Sequence, residues 1–281
     1  MLETRVSPAS VVADLVSHAR RAQHAVRDYT QTQANLLVTA VAWSCYKREN
    51  AERLARLAIE DTGLGRYEDK VVKNQRKTFG TLRDLLDPSA ISVGVKRDDP
   101  ALGLTLLAKP VGVVAAVCPS TNPSATPINK TMMIIKGRNA TILAPSPKGA
   151  ATCELVVELV HEQLRKVGAP TDLVQMLPKP ISKELTAELM RQVDLVVVTG
   201  SQNNVRAAYQ SGTPAIGVGA GNTPAIIDET ADLDDAAAKI KLSTCFDYAT
   251  SCSSENSVLI PASRYEETLQ ALARQGGRLL D

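Results

Sequence analysis

No stretch of the 281-residue sequence is apolar for long enough to cross a membrane; the longest candidates, such as LVVVTG ending at Gly200, are strand-sized. The opening MLETRVSPASVV lacks the charged-then-apolar pattern of a secretion signal. Charge of one sign is also missing. Lys+Arg 32 against Asp+Glu 30 leaves a formal +2, which makes no electrostatic case for nucleic acid or for an anionic membrane. Cysteines are few: five, at 45, 118, 153, 245 and 252, with no CxxC and an odd count. That usage excludes a disulfide framework and suits a reducing cytosol. Histidine is scarcer still. His18, His24 and His161 fall on expected helices far from Cys252 in sequence, in no metal-ligand spacing, so nothing supports a Cys–His hydrolase.

What remains is an ordinary soluble composition, 44% hydrophobic and 22% charged, in a chain long enough for one large domain and part of another. The first ninety residues read as helices. Ser7-Pro8 is a helix start, serine as N-cap and proline in the first turn, and Val12, Leu15, Ala19, Ala22 and Val26 follow on one helical stripe. A second helical stretch spans about 32–59, with an interruption near Asn50, and ends where Gly63 or Gly65 of DTGLG can take a left-handed cap. A third runs over about 67–86. Residues 91–109 read as two strands joined by the polar turn RDDP.

From Val111 short apolar runs alternate with helical segments. VGVVAAV (111–117), ATILAP (140–145), LVQML (173–177), LVVVT (195–199) and AIGV (215–218) suit parallel strands covered on both faces. Helices at about 124–137, 148–167, 181–192 and 202–211 separate them. The fold class is therefore α/β, a doubly wound parallel sheet whose ligands sit beyond the carboxyl ends of the strands. A strand over 224–229, a helix over about 233–242, a loop around Cys252, a strand NSVLIP and a helix reaching the last residue complete the chain.

The strand ends carry the candidate chemistry. CPSTNPSATP follows the first parallel strand where a dinucleotide fold would show GxGxxG, so a nucleotide must be held differently. GVGAG (217–221) lies between strand segments and fits a tight connection as well as a binding loop. Thr199-Gly200-Ser201 ends a strand and opens a helix, which suits either a phosphate or a plain serine N-cap. Asn122 is a helix cap or a donor to a developing oxyanion. The acidic run DETADLDD (228–235) lacks calcium-loop spacing; Asp228 and Glu229 are expected to cap the helix that follows, and no metal site is read. Cys252, in FDYATSCSSEN, stands among small hydroxylated residues that leave its sulfur open, whereas Cys45 and Cys153 read as packing thiols. Cys118 and Cys245 are its rivals for reactivity.

The segments AIEDTGLG, KPVGVVAAVCPSTNPSATPI, GRNATILAPSPKGA, VTGSQNNVRAAYQSGTPAIGVGAGNTPAIIDETADLDDA and FDYATSCSSENSVLI resemble the acylating, coenzyme A-dependent branch of the aldehyde dehydrogenase superfamily. The likeness spans nearly the whole chain in the family's order, and is nearest to the aldehyde dehydrogenase half of bifunctional aldehyde–alcohol dehydrogenases and to acylating sulfoacetaldehyde dehydrogenases. It implies that Cys252 is the nucleophile, forming a thiohemiacetal and then a thioester, and that Asn122 helps form the oxyanion hole. It further implies NAD or NADP as cofactor, with contacts at Thr121, Pro145, Ser146, Pro147, Thr199, Gly200, Ser201 and Gly219. Residues 1–90 would be helices of the cofactor domain, 91–109 an oligomerisation hairpin, and 110–229 the dinucleotide-binding domain. Residues 230–281 would be the start of a catalytic domain that the family continues well past this point.

Two departures sharpen the expectation. Hydrolytic relatives place a water-activating glutamate where this chain has Val218, and GVGAGNTP contains no acid. Without a base, water is a poor nucleophile, and the thiol of coenzyme A takes its place. The lysine that other members use on the adenosine ribose is Ala144 here. The implied reaction converts an aldehyde, coenzyme A and NAD(P)+ to acyl-CoA and NAD(P)H, in a cytoplasmic homodimer or higher oligomer. The alternatives are a hydrolytic aldehyde dehydrogenase and a non-catalytic nucleotide-binding or assembly module.

Overall fold

The computed structural model of the chain describes residues 7–280. Helix α1 (Pro8–Val26) starts as its sequence dictates: the Ser7 hydroxyl accepts from the Ser10 N–H at 3.2 Å and Pro8 sits at the first helical position. Its buried stripe is Val12, Val16, Ala19, Ala22 and Val26; Leu15 is half-buried, and Val16 takes the place expected for it. Helix α2 (Gln31–Tyr46) opens with a reciprocal Thr30–Gln33 capping box. The expected interruption is present: the break before α3 (Arg48–Thr62) falls at Lys47, close to Asn50. Asn50 is buried, its Nδ2 donating to the Ser44 carbonyl at 2.8 Å across the kink. Gly63, with φ 68°, makes the left-handed cap of α3. Helix α4 (Tyr67–Leu86) follows.

Strands β1 (Gly94–Asp99) and β2 (Leu104–Ala108) form an antiparallel hairpin. The chain reverses over Pro100–Gly103, later than the expected RDDP turn, because Arg97, Asp98 and Asp99 are still paired with Leu106, Thr105 and Leu104. Arg138 ties the hairpin base to the body: its guanidinium donates to the carbonyls of Arg27 (2.6 Å), Ser92 (3.1 Å) and Ala108 (3.2 Å).

The centre is a five-stranded parallel sheet of β3 (Val113–Cys118), β4 (Ala140–Pro145), β5 (Val174–Met176), β6 (Leu195–Thr199) and β7 (Ala215–Val218), in the order β5-β4-β3-β6-β7. Every residue of β3 and β4 is buried, as continuous apolar strands require when helices cover both faces. Helices α5 (Ala125–Lys136) and α6 (Ala150–Lys166) cover one face, with α2, α3 and α4 layered outside them; α1 and α7 (Lys183–Gln192) cover the other, and α8 (Gln202–Tyr209) packs on β6 and β7. The chain steps outward from β3 to β5 and then crosses back to β6 on the opposite side of β3. The loops after β3 and β6 therefore diverge and open a crevice between them.

Strand β8 (Thr223–Ile226) pairs in parallel with β9 (Glu255–Leu259), outside the large sheet. Helix α9 (Leu233–Cys245) packs against β9 and against α10 (Tyr265–Arg274). Helix α10 stops at Arg274, short of the expected end at the last residue, because Gly276 turns the chain at φ 96°.

Candidate functional site

A cleft of about 630 Å³ lies at the carboxyl end of the sheet, where the strand order reverses. That volume falls in the ordinary range for small-molecule sites. Pro145, Ser146 and Pro147 line it from the end of β4, and Gly200 and Ser201 from the end of β6. Thr121, Thr199 and Gly219, also expected at a cofactor, lie outside its wall. A Cβ on Gly219 would stand 2.7 Å from Gln202 Oε1, the mobile end of a side chain. Ser201 serves both readings, since its side chain accepts from the Asn204 N–H at 3.3 Å as the cap of α8 while the residue faces the cleft. Ala144 contributes only a methyl.

The sequence reading missed the wall that α7 supplies: Ser182, Lys183, Thr186, Ala187 and Met190. A signal was present. Ser182 caps α7 by accepting from the Leu185 N–H at 3.1 Å, and a helix that follows a parallel strand starts at the ligand end of the sheet. The N-terminal ends of α7 and α8, with the Lys183 ammonium, suit an anionic group such as a phosphate. The cleft therefore offers helix ends to an anion without a GxGxxG turn.

Cys252 lies on the loop before β9 and is exposed. Burial separates it from most of its rivals. It pushes the Cys45 thiol up to about 12, the Cys118 thiol up to about 11, and the Cys153 thiol well above its ordinary value. Cys118 borders the cleft, yet it is buried. Cys245, the last residue of α9, shares exposure with Cys252. The histidines are occupied elsewhere: His18 faces Asp172 at 3.5 Å, His24 faces Arg27 at 2.6 Å, and His161 Nε2 donates to the Val174 carbonyl at 2.6 Å.

Asn122 and the Cys252 loop meet. The Asn122 Nδ2 donates to the Thr250 carbonyl at 3.0 Å, two residues before Cys252, and lies 3.3 Å from Thr121 Oγ1. The plain cap is not its role, since Ser124 precedes α5. Behind this contact lies an ionic cluster that the sequence reading did not find. Asp247 is fully buried and accepts from the Arg66 N–H at 2.8 Å, from Lys70 Nζ at 3.2 Å, from Thr250 Oγ1 at 2.6 Å and from Lys73 Nζ. Burial alone would raise the Asp247 pKa, but the hydrogen bonds from Lys73, Thr250 and Arg66 hold it below the usual carboxylate range. Burial lowers the Lys73 pKa, against the pull of Asp247. No short motif announces this cluster, because its partners stand 174 and more residues apart.

The acidic run is engaged in helix starts and ion pairs. Asp232, not Asp228 or Glu229, caps α9; Asp228 accepts from Thr230, Asp234 pairs with Arg274, and Asp235 with Lys239. Val218 ends β7 exposed, and its carbonyl accepts from the Gly200 N–H at 3.1 Å. The acid nearest Cys252 in sequence is Glu255, whose Oε2 is buried without a hydrogen-bond partner among the described residues.

The chain is an α/β protein with a cleft at the carboxyl end of its parallel sheet, and separately an exposed thiol on a loop that a carboxamide holds. Comparison makes the class specific. The model of the aldehyde dehydrogenase family matches residues 2–279, and the chain belongs to that family. It is 54% identical over 272 residues to an acylating sulfoacetaldehyde dehydrogenase of Cupriavidus necator, covering 97% of this chain and 55% of that protein. Its fold superposes with a TM-score of 0.89 on an acetylating aldehyde dehydrogenase of Geobacillus thermoglucosidasius, at 35% identity over 98% of this chain and 60% of the other. A propionaldehyde dehydrogenase of Rhodopseudomonas palustris, solved with bound propionyl-CoA, superposes with a TM-score of 0.83 at 28% identity, over 94% of this chain and 57% of the other. The chain spans a little over half the length of these proteins.

Proposed function

We propose that this chain carries the cofactor cleft and the nucleophile of a coenzyme A-acylating aldehyde dehydrogenase, which converts an aldehyde, coenzyme A and NAD(P)+ to acyl-CoA and NAD(P)H. The observation that carries the reading is the bond from Asn122 to the Thr250 carbonyl, which sets a carboxamide against the loop bearing the exposed Cys252.

Cys252 Sγ bonds to the aldehyde carbon and its thiol proton goes to solvent. The carbonyl oxygen becomes an oxyanion, to which Asn122 Nδ2 donates. Pro145–Pro147 and Gly200–Ser201 would hold NAD(P)+ in the cleft, and the bound cofactor would supply the acceptor for the hydride that leaves the carbon. Cys252 is left as a thioester. Segment 217–224 offers no carboxylate to activate water, so the thioester persists until the coenzyme A thiol attacks and Cys252 departs as thiolate. Glycines and Val218 in this segment favour acylation over hydrolysis.

Residues 91–109 serve subunit contact in this reading. Val95, Leu104, Leu106 and Leu107 of the hairpin are all half exposed or more, and an isolated two-stranded ribbon is marginal in water. The protein acts as a homodimer or higher oligomer in the cytoplasm; no helix among the described residues is long and apolar enough to cross a membrane. The test is an aldehyde panel that includes sulfoacetaldehyde, assayed on the natively expressed protein with and without coenzyme A. Acyl-CoA production supports the reading, and free acid at the same rate in both arms overturns it.

A further inference from the structure

Helix α4 presents Arg66, Asp69, Lys70 and Lys73, at its start and at helical spacing, to the turn that precedes Cys252. Lys73 is almost fully buried. An ammonium has three protons and no lone pair. All three are used: Nζ donates to Asn122 Oδ1 at 2.8 Å, to Thr250 Oγ1 at 3.2 Å and to Asp247 Oδ2. A lysine can only donate, so the oxygen of the Asn122 carboxamide must face it, and the Nδ2 must face away, toward the Thr250 carbonyl at 3.0 Å. Burying an ammonium without partners is prohibitive, and these three acceptors satisfy it.

The turn itself is held under strain. Asp247, Tyr248 and Ala249 all sit at positive φ, 52°, 52° and 57°, which non-glycine residues hold only when the surroundings over-determine them. Asp247 is tied on the other side to the backbone of Arg66, and its carboxylate comes so close that a Cβ on Gly65 would stand 2.1 Å from Asp247 Oδ1. One cation thus touches both the carboxamide and the strained turn that leads to the thiol.

We propose that Lys73 is a positioning residue for the oxyanion donor: it orients the Asn122 carboxamide and, through Asp247 and Thr250, sets the distance between that amide and the Cys252 loop. The inference rests on the reading of Asn122 as the oxyanion donor. When an oxyanion takes the place of the Thr250 carbonyl at Nδ2, Lys73 remains to hold the amide from behind.

The test is a double-mutant cycle on acyl-CoA formation by the natively expressed protein, with Lys73→Met, Asn122→Ala and the pair. Asn122→Ala lowers kcat on the order of 10²–10³-fold, the usual effect of losing an oxyanion donor. Lys73→Met lowers kcat about tenfold or more with the KM for NAD(P)+ unchanged, and the pair is no worse than Asn122→Ala alone. Lys73→Met leaves Asp247 buried without its main partner, so Lys73→Met/Asp247→Asn, which removes both charges, covers the case in which the single variant does not fold. With Lys70→Met added, so that no buried ammonium is left without its carboxylate, it is expected to fold and still show the reduced kcat. Multiplying losses in the Lys73→Met/Asn122→Ala pair, or a folded Lys70→Met/Lys73→Met/Asp247→Asn variant with wild-type kcat, would overturn the proposal. A silent Asn122→Ala would overturn the oxyanion reading and this inference with it, and an active-site role confined to Asn122 would show as a silent Lys73→Met beside a crippled Asn122→Ala.

Discussion

The five-stranded sheet and the segment from β8 to α10 are built on opposite principles. In the sheet, β3 and β4 are apolar and buried at every position, and neighbouring strands settle beside them through short crossovers. In the second region Ile226 is 75% exposed and Leu259 56%, and the β8–β9 pair stands alone. What anchors that region to the body is polar: Asp247 to Arg66, Lys70 and Lys73, and Thr250 to Asn122. The first region is held by apolar packing from which water is excluded. The second is placed by a few directed bonds, and these lead to the residues proposed for the chemistry.

The comparison can be broken by substitution. Ile142→Ala, at a wholly buried site in β4, is expected to cost about 2–5 kcal/mol of stability, whereas Ile226→Ala should stay within about 0.5 kcal/mol. Denaturant titration of both variants checks this, and equal losses would mean that β8 is packed as tightly as the sheet. Gly65→Ala acts between these limits. Its φ of 83° and the approach of Asp247 predict a loss of about 1–3 kcal/mol, together with a fall in kcat as the turn before Cys252 shifts. A Gly65→Ala protein with unchanged kcat would separate the ionic cluster from the chemistry.

The smallest perturbation is a label. Brief, substoichiometric iodoacetamide followed by peptide mapping should modify Cys252 first and Cys245 second. Cys45 and Cys118 should stay silent even at pH 9, because burial holds their thiols at about 12 and about 11. Predominant modification of Cys118 or Cys245 would remove Cys252 from its proposed role.

Much of the fold was legible because it is written locally. The strands at 111–117, 140–145, 195–199 and 215–218 announce themselves as apolar runs, and Ser7, Thr30, Ser182 and Ser201 cap the helices that follow them. Errors came where local signals compete: in the acidic run any of several carboxylates could cap α9, and Asp232 does so while Asp228 accepts from Thr230. Asn122 and Cys252 could be picked out by their loops and by likeness, and the structure joins those loops through Thr250. Lys73 and Asp247 could not. Each looks like an ordinary surface charge in the sequence, and only the fold brings them together across 174 positions. The cleft wall from α7 is announced only by a plain serine cap, Ser182, which reads equally as a helix start with no ligand.

The central claim is that the acyl group on Cys252 waits for a thiol and is not released by water. Its most direct measurement is the time course of reduced cofactor in the natively expressed protein, given aldehyde and NAD(P)+ without coenzyme A. With Val218 in place of an acid, and bases typically contributing 10²–10⁴-fold to such a step, the account predicts one burst of about one equivalent per site and then a stall. Addition of coenzyme A should restart turnover, and Val218→Glu should raise the slow leak to free acid. Steady acid production by the unmutated protein, with no thiol acceptor present, would contradict the account.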